Sequence, residues 1–291
     1  MPISLLQTLA EIPIAFVDTE TTGASAEFGD RVIELGIVRV EGGVKVAEYQ
    51  QLINPLRKIG PGVTALTGIS QSMVEGQPTF LQQLPRAMEL LSGAVLVGHN
   101  VRFDLSLLGK EFRCCGMQIV DALPGAHVLD TVRMARRRFG RGGNGLQRLA
   151  PRLGIEPVVA HRALADAQTT HLVFEKLMEP MAGWRTSLAD ALVAQGGPMG
   201  LLAASPREPL LPLELEEALE QRKPVMMEYL DAQQRRTHRM IEPLSIRRFG
   251  GELTLVAHCH LRAAQRTFKV DRIVQLTRLE DGGGGDDRVT R

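Results

Sequence analysis

The apolar run Ile14-Ala15-Phe16-Val17 ends in two acids one residue apart, Asp18 and Glu20, inside the stretch FVDTETTG at residues 16–23. A short apolar run that stops at a charge predicts a buried strand over 14–18. Strand side chains alternate between faces, so Asp18 and Glu20 point the same way if the strand continues through both. Desolvating two neighbouring carboxylates is costly without a compensating partner, and Mg2+ and Mn2+ favour oxygen ligands of this kind. Two solvated acids at a strand end give the same D-x-E pattern. Any further ligands must come from elsewhere in the chain.

The pattern around that strand defines its setting. Residues 32–40 (VIELGIVRV) and 44–53 read as two more strands, joined by a turn at Glu41-Gly42-Gly43. A helix is expected at about 78–92, restarting near Pro85, followed by a buried strand in AVLVGHN, residues 94–100. Helical patterns then occupy 103–115, 130–139, 145–153 and 162–178. Strands first and strand–helix alternation afterwards predict an α/β domain with a mixed sheet flanked by helices over residues 1–180. A linker is expected over 181–212, since 194–212 (AQGGPMGLLAASPREPLLP) is dense in Gly, Pro, Ala and Ser. A short helix and a series of short alternating stretches predict a small antiparallel β domain over 213–279. The tail EDGGGGDDRVTR, residues 280–291, is expected to be disordered.

At 291 residues, 44% hydrophobic and 23% charged, the chain has the makeup of a globular protein with room for two domains. Cys114, Cys115 and Cys259 give no disulfide framework and no C-x-x-C spacing, which suits a reducing cytoplasm. The N-terminal stretch lacks a charged start and is broken by Glu11 and Pro13, so no signal peptide is expected. No apolar run approaches the roughly 20 residues that cross a bilayer. A cytoplasmic protein without a membrane partner is the expectation.

Two further segments offer ligands. GHNVRFD, residues 98–104, follows the apolar run 94–97, so Asp104 falls just inside a helix that starts after a strand. That is where sites collect in α/β sheets, although Asn100 as a helix cap and Asp104 as a dipole partner would explain the same residues. In HRALADA, residues 161–167, Asp166 sits in a strong helix former and His161 precedes it. On one continuous helix the two side chains would diverge by about 140°. With His161 in the entering loop, both can face a common point.

Taken together, FVDTETTG, HNVRFD and HRALAD resemble, in order and spacing, the three motifs of the DEDDh (DnaQ-like, proofreading-type) 3′–5′ exonucleases. RVIELGIVRV, INP and LTGIS between them are also similar to that family, and the resemblance runs over about residues 12–178. It implies a ribonuclease H-like fold and two divalent metal ions, Mg2+ or Mn2+, held by Asp18, Glu20, Asp104 and Asp166. Asp18 would be shared by both ions, Glu20 and Asp166 would complete one, and Asp104 would hold the other through water. His161 would be the general base, since an imidazole accepts a proton near neutral pH. Thr21, Thr22 and Gly23 would lie under the terminal nucleotide, and Asn100 would join them in binding substrate. Phe103 either packs near the terminal base or fills the core. Arg133, Arg136, Arg137, Arg138 and Arg141 form a basic run that reads as a solvated helix face or as a contact to nucleic-acid backbone.

Net charge is only +1, but residues 232–279 carry ten basic against three acidic residues, a footprint suited to a polyanion. Leu213 to Leu279 resembles a WYL domain through LEEALEQRKPVMMEYLD, RMIEPLSI, GGELTLVAHCHLR and QRTFKVDRI, with Leu253-Thr254-Leu255 in place of the namesake Trp-Tyr-Leu. The resemblance implies a small SH3-like all-β barrel in which Arg239, Arg262, Arg266 and Arg272 bind single-stranded nucleic acid or a nucleotide ligand. Guanidinium groups suit phosphate oxygens. Few aromatics for base stacking leave open a barrel used only for protein contacts. The function expected is a 3′–5′ exonuclease acting on 3′ ends, DNA favoured, in repair or processing. The alternatives are a polymerase proofreading subunit and a nucleic-acid-binding regulator. Oligomeric state is left open.

Overall fold

A computed structural model describes residues 3–23, 26, 29–156, 161–201, 211–249 and 252–279. The tail 280–291, Pro157 and the middle of the expected linker, 202–210, lie outside these residues. The chain divides into two compact units, Met1–Leu213 and Glu214–Arg291.

The first unit is built on a mixed sheet. Strands β1 (Ile14–Thr21), β2 (Val32–Glu41) and β3 (Val44–Leu52) come first. Three helices follow, α1 (Pro61–Thr67), α2 (Gln71–Val74) and α3 (Phe80–Leu91), then β4 (Val95–Gly98). Helices α4 (Arg102–Cys114) and α5 (Ile119–Ala122) lead to β5 (Val128–Asp130). Helices α6 (Thr131–Phe139), α7 (Leu146–Arg152), α8 (Ala163–Met178) and α9 (Leu188–Ala194) complete the unit. The sheet order is β3-β2-β1-β4-β5, antiparallel across β3-β2-β1 and parallel across β1-β4-β5. This is the expected α/β mixed sheet. Helix α3 carries Pro85 without a break, its start fixed by a capping box between Thr79 and Gln82.

Strand alternation divides the core in two. Ile14, Phe16, Val38, Val95 and Val97 join a cluster with Leu149, Ala167, Phe174 and Leu188 from α7, α8 and α9. Ala15, Val17, Leu35, Ile37 and Leu96 join the opposite cluster with Leu90, Leu105 and Phe112 from α3 and α4. Strand β1 therefore continues to Thr21, and Asp18 and Glu20 lie in the even register of Phe16, the side covered by α8.

Part of the stretch expected as linker, residues 181–212, packs into the first unit. Leu188, Ala191 and Leu192 of α9 are buried in the α8-side cluster, and Gln195 is 1% exposed. Its Oε1 accepts the Asp130 N–H at 2.8 Å, and its Nε2 donates to Val128 O and Gly197 O at 3.0 Å each. The end of α9 is thus stitched to the edge strand β5 through one buried side chain.

In the second unit, α10 (Leu213–Gln221) precedes β6 (Val225–Leu230), β7 (Arg236–Phe249), β8 (Glu252–Cys259), β9 (Ala264–Lys269) and β10 (Ile273–Arg278). All pairings are antiparallel in the order β10-β6-β7-β8-β9. The expected barrel is not closed: among the described residues, β9 and β10 stand at opposite edges with no ladder between them. A barrel needs its end strands paired. Leu253 and Leu255, at the namesake position of the WYL resemblance, are buried in the interior strand β8, as is Phe268 in β9.

No helix among the described residues is long and apolar enough to cross a membrane.

Candidate active site

Three segments converge at the end of β1. Asp18 and Glu20 are half-buried on the strand itself. Asp104 sits in the first turn of α4, where a carboxylate complements the helix dipole, and is 3% exposed. Thr19, on the opposite register from Asp18, donates from its N–H (2.9 Å) and its Oγ1 (2.7 Å) to Asp104 Oδ1. Both bonds land on one oxygen, and Oδ2 keeps its capacity for a ligand.

Asp166 lies in the first turn of α8, 7% exposed. It accepts the His161 N–H on Oδ2 (3.0 Å) and Gln147 Nε2 on Oδ1 (3.0 Å). His161 precedes the helix, as expected, with a left-handed backbone (φ 60°) that folds it back over the helix start. One ligand atom each from Glu20, His161 and Asp166 lies within 4.8 Å of the other two. His161 therefore stands among the groups able to hold a cation.

Helix α8 comes this close to the sheet because of Gly36, which pairs with Asp18 across β1 and β2. A Cβ there would fall 2.2 Å from the Ala163 carbonyl carbon. Glu34, opposite Glu20 in the same ladder and fully buried, grips the helix start. Its carboxylate accepts Arg162 Nη2 (2.6 Å), Arg162 Nε (3.0 Å), the Ala163 N–H (2.9 Å) and Gln50 Nε2 (2.9 Å). Burial works to raise the Glu34 carboxyl, but these donors outweigh it and hold it below its ordinary value.

The acids opposite are in the contrary state. Burial first, then Asp104, Asp166, Glu20 and Glu34, raise the Asp18 carboxyl well above its usual range. Burial, Asp166 and Glu34 do the same to Glu20. Burial pushes Asp104 up to about 7, against the hydrogen bonds from Thr19. Carboxyls that raise one another in this way are relieved by a cation between them, so the donor set fits divalent metal. Burial lowers the pKa of His161, which keeps its imidazole neutral near pH 7.

The remaining expected residues fall nearby with differing roles. Asn100 does not cap α4: the N-cap position is Val101, and Asn100 has φ 63° with its N–H on Asp130 Oδ1 at 3.2 Å. Thr21 Oγ1 donates to Gly23 O (2.7 Å) and Thr22 Oγ1 to Asp30 Oδ1 (3.0 Å), so both hydroxyls are engaged within their own loop. Phe103 is part-buried against the α3–α4 cluster. In the second unit Arg239 and Arg266 share a cavity of about 440 Å3 with Tyr229, Gln265, Thr267 and Phe268. The Arg239 guanidinium lies 6.0 Å from the Phe268 ring centre. Arg262 and Arg272 sit in the turns before β9 and β10, outside that lining.

Glu34, Gly36, Gln147, Arg162 and Asp130 have no role in the motif-based expectation, although Glu34, Gly36 and Arg162 lie inside the stretches that carry the resemblance. A charge inside the apolar run VIELG is the one signal that could have pointed to Glu34.

The Exonuclease family profile matches residues 15–174, and the WYL domain profile matches residues 212–278. The chain is 37% identical over 166 residues to the 3′–5′ exonuclease DinG of Bacillus subtilis, covering 57% of this chain and 17% of that protein. It is 36% identical over 165 residues to the DNA polymerase III subunit epsilon of Treponema pallidum, covering 55% of this chain and 74% of that one. The chain spans only 13% of a PolC-type DNA polymerase III from Caldanaerobacter subterraneus that it also matches. Among solved structures, the nuclease domain of 3′hExo, a DEDDh family member bound to rAMP, aligns with TM-score 0.51 and 18% identity over 60% of this chain and 95% of that one. E. coli exonuclease I in complex with a dA16 oligonucleotide aligns with TM-score 0.52 and 18% identity over 85% and 55%. At such identities the likeness is one of fold. The profile match covers more than half of the chain and takes in Asp18, Glu20, Asp104, His161 and Asp166, and the chain belongs to the exonuclease family.

Proposed function

We propose that the chain is a metal-dependent 3′–5′ exonuclease that releases nucleotides from nucleic-acid 3′ ends, DNA in preference to RNA. The observation that carries this is the convergence of Glu20, His161 and Asp166 donor atoms within 4.8 Å, beside the raised carboxyls of Asp18 and Asp104. Asp18, Glu20, Asp104 and Asp166 would hold two divalent ions, Mg2+ or Mn2+. Such ions acidify an attacking water and stabilise the negative charge on a leaving oxygen.

The chain's own residues do the rest. Neutral His161 is competent to take the proton of the attacking water, and its own N–H on Asp166 fixes where the imidazole stands. Thr19 fixes Asp104, and the Glu34–Arg162 pair fixes the start of α8. With their hydroxyls already engaged, Thr21 and Thr22 would meet the terminal nucleotide through backbone at Gly23, alongside Asn100 and Phe103.

We infer a catalytic domain that runs past residue 180 to take in α9 as its closing element, ending near residue 201, and a nucleic-acid- or nucleotide-binding domain in 213–279. Arg239, Arg262, Arg266 and Arg272 would serve that second domain, Arg239 and Arg266 from one cavity.

The test is digestion of labelled single-stranded, duplex and mismatched DNA and of RNA side by side with Mg2+ or Mn2+. Release of mononucleotides from 3′ ends by the wild type, lost in Asp166→Ala, is the expected result. Intact substrates with wild-type protein would sink the enzyme. A proofreading subunit is the second reading, favoured by the 74% coverage of the T. pallidum subunit. It requires preference for mismatched ends and co-purification with a polymerase.

A further inference from the structure

Past the end of β1 the chain leaves Thr21, makes an excursion, and returns to β2 at Val32, which pairs with Thr21. Asp30 ties this excursion down. Its Oδ1 accepts Thr22 Oγ1 (3.0 Å) and pairs with Arg57 Nη1 (3.2 Å), and its carboxylate lies so close to Gly23 that a Cβ there would be 2.6 Å away. Arg57 is thereby held beside the residues that follow the Asp18–Glu20 motif.

A second cation reaches the same place from α4. A point above the Gly29 α-carbon, where a Cβ would stand, is 3.3 Å from Arg57 Nη1 and 3.7 Å from Lys110 Nζ. Gly29 has φ +89°, a conformation that favours glycine, and apart from its chain neighbours no other atom of the described residues comes within 4 Å of that point. The neighbouring Arg31 is already neutralised by a two-pronged pair with Glu111 (2.7 and 2.7 Å). Lys110 has no hydrogen-bond or ion-pair partner among the described residues. Burial, with Arg31 and Arg57 close by, pulls its ammonium below the ordinary value. Two cations stand side by side over Gly29, and Asp30, which pairs with Arg57, is shared with Thr22. An anion over Gly29 would complete this cluster.

The position along α4 suggests which anion. Lys110 follows Asp104 by six residues on the same helix, about 9 Å along its axis. On the exonuclease reading, a strand whose 3′ end lies at Asp104 would leave past this patch. We propose that Arg57 and Lys110, over Gly29, form a subsite for a backbone phosphate of the bound nucleic-acid strand, one other than the phosphate being cleaved. The inference rests on the exonuclease reading for the course of the strand, and its chemistry is charge-assisted hydrogen bonding to phosphate oxygens.

The test compares the full-length wild type with an Arg57→Ala/Lys110→Ala double variant and with Lys110→Glu. Binding of a fluorescent single-stranded oligodeoxynucleotide in EDTA is measured by anisotropy across a salt series. With Mn2+, turnover of the same oligonucleotide is set against turnover of the p-nitrophenyl ester of thymidine 5′-monophosphate, which has no second phosphate. The double variant is expected to bind the oligonucleotide about tenfold more weakly, with a log–log salt slope reduced by about 0.7 for the one lost phosphate contact. KM for the oligonucleotide should rise while kcat and ester hydrolysis stay unchanged. Lys110→Glu should be worse than the double variant. Unchanged oligonucleotide binding and salt slope would overturn the subsite, and so would an equal loss on the ester, which marks a fold defect. A wild type that cleaves neither substrate refutes the nuclease reading instead, while the binding comparison still decides the subsite.

Discussion

Arg162 closes on Glu34 with its Nη2 2.6 Å from Oε1, one residue after His161 and across the ladder from Glu20. An acid with no exposure and a base one-third exposed thus join the two halves of the site: the strand that carries Asp18 and Glu20, and the helix that carries Asp166. Glu34→Ala removes an acceptor for Arg162, Ala163 N–H and Gln50 together. Loss of one partner of a buried pair costs more than the pair contributes, and the partial exposure of Arg162 moderates it. A loss of about 2–4 kcal/mol in urea unfolding should accompany weaker metal binding. Arg162→Lys should recover little of it, since an ammonium cannot supply two parallel donors. Unchanged unfolding in Glu34→Ala would show that α8 is held by its apolar face alone.

Gly36 makes a sharper case. Its Cβ would collide with the Ala163 backbone at 2.2 Å, so Gly36→Ala must push the start of α8 off the sheet beside Asp18. Overpacking of this kind costs about 1–3 kcal/mol, and the displacement should abolish metal-dependent digestion. Gly76→Ala, where nothing lies within 4 Å and the backbone is not left-handed, is the control and should leave both melting temperature and activity in place. Equal behaviour of the two variants would remove Gly36 from the site.

These two residues also mark where the sequence stopped being informative. Strands β1, β2 and β4 are legible because buried strands write their apolar runs into local order, and the five motif residues because they fall in three stretches of recognisable order and spacing. Gly36 has an ordinary strand backbone, and its need for glycine comes from a helix more than a hundred positions away. Strand β5 is three residues long, too short for any period, yet it ends in Asp130, which caps α6 and accepts the Asn100 N–H. The open edge of the second sheet is likewise a matter of which strands pair, which alternation alone does not encode.

The buried acids tie stability to pH and metal. Asp104 rises from its ordinary value near 3.8 to about 7 in the metal-free fold, so the fold favours its neutral form. That contribution is present in full below about pH 4 and is lost as pH climbs through about 7, on the order of 4 kcal/mol for this group. In EDTA the protein should therefore unfold at lower urea at pH 8 than at pH 5, and saturating Mg2+ or Mn2+ should narrow the difference. A metal-free protein equally stable at both pH values would contradict the mutual repulsion of the cluster.

Gln195 supplies the last test, of where the catalytic unit ends. Its side chain is buried and makes three hydrogen bonds, one from the Asp130 N–H and two to the carbonyls of Val128 and Gly197. Asp130 in turn receives the N–H of Asn100, next to the second motif. Replacing Gln195 by Leu keeps the volume but strands one buried N–H and two carbonyls, each at about 1–3 kcal/mol where water cannot reach. The same contacts predict that a fragment ending at residue 201 folds and that one ending at residue 180 does not, because the latter also loses buried Leu188, Ala191 and Leu192. Both fragments are compared by circular dichroism and urea unfolding. A cooperative transition in the 1–180 fragment with the midpoint of 1–201 would return residues 181–201 to the role of a linker.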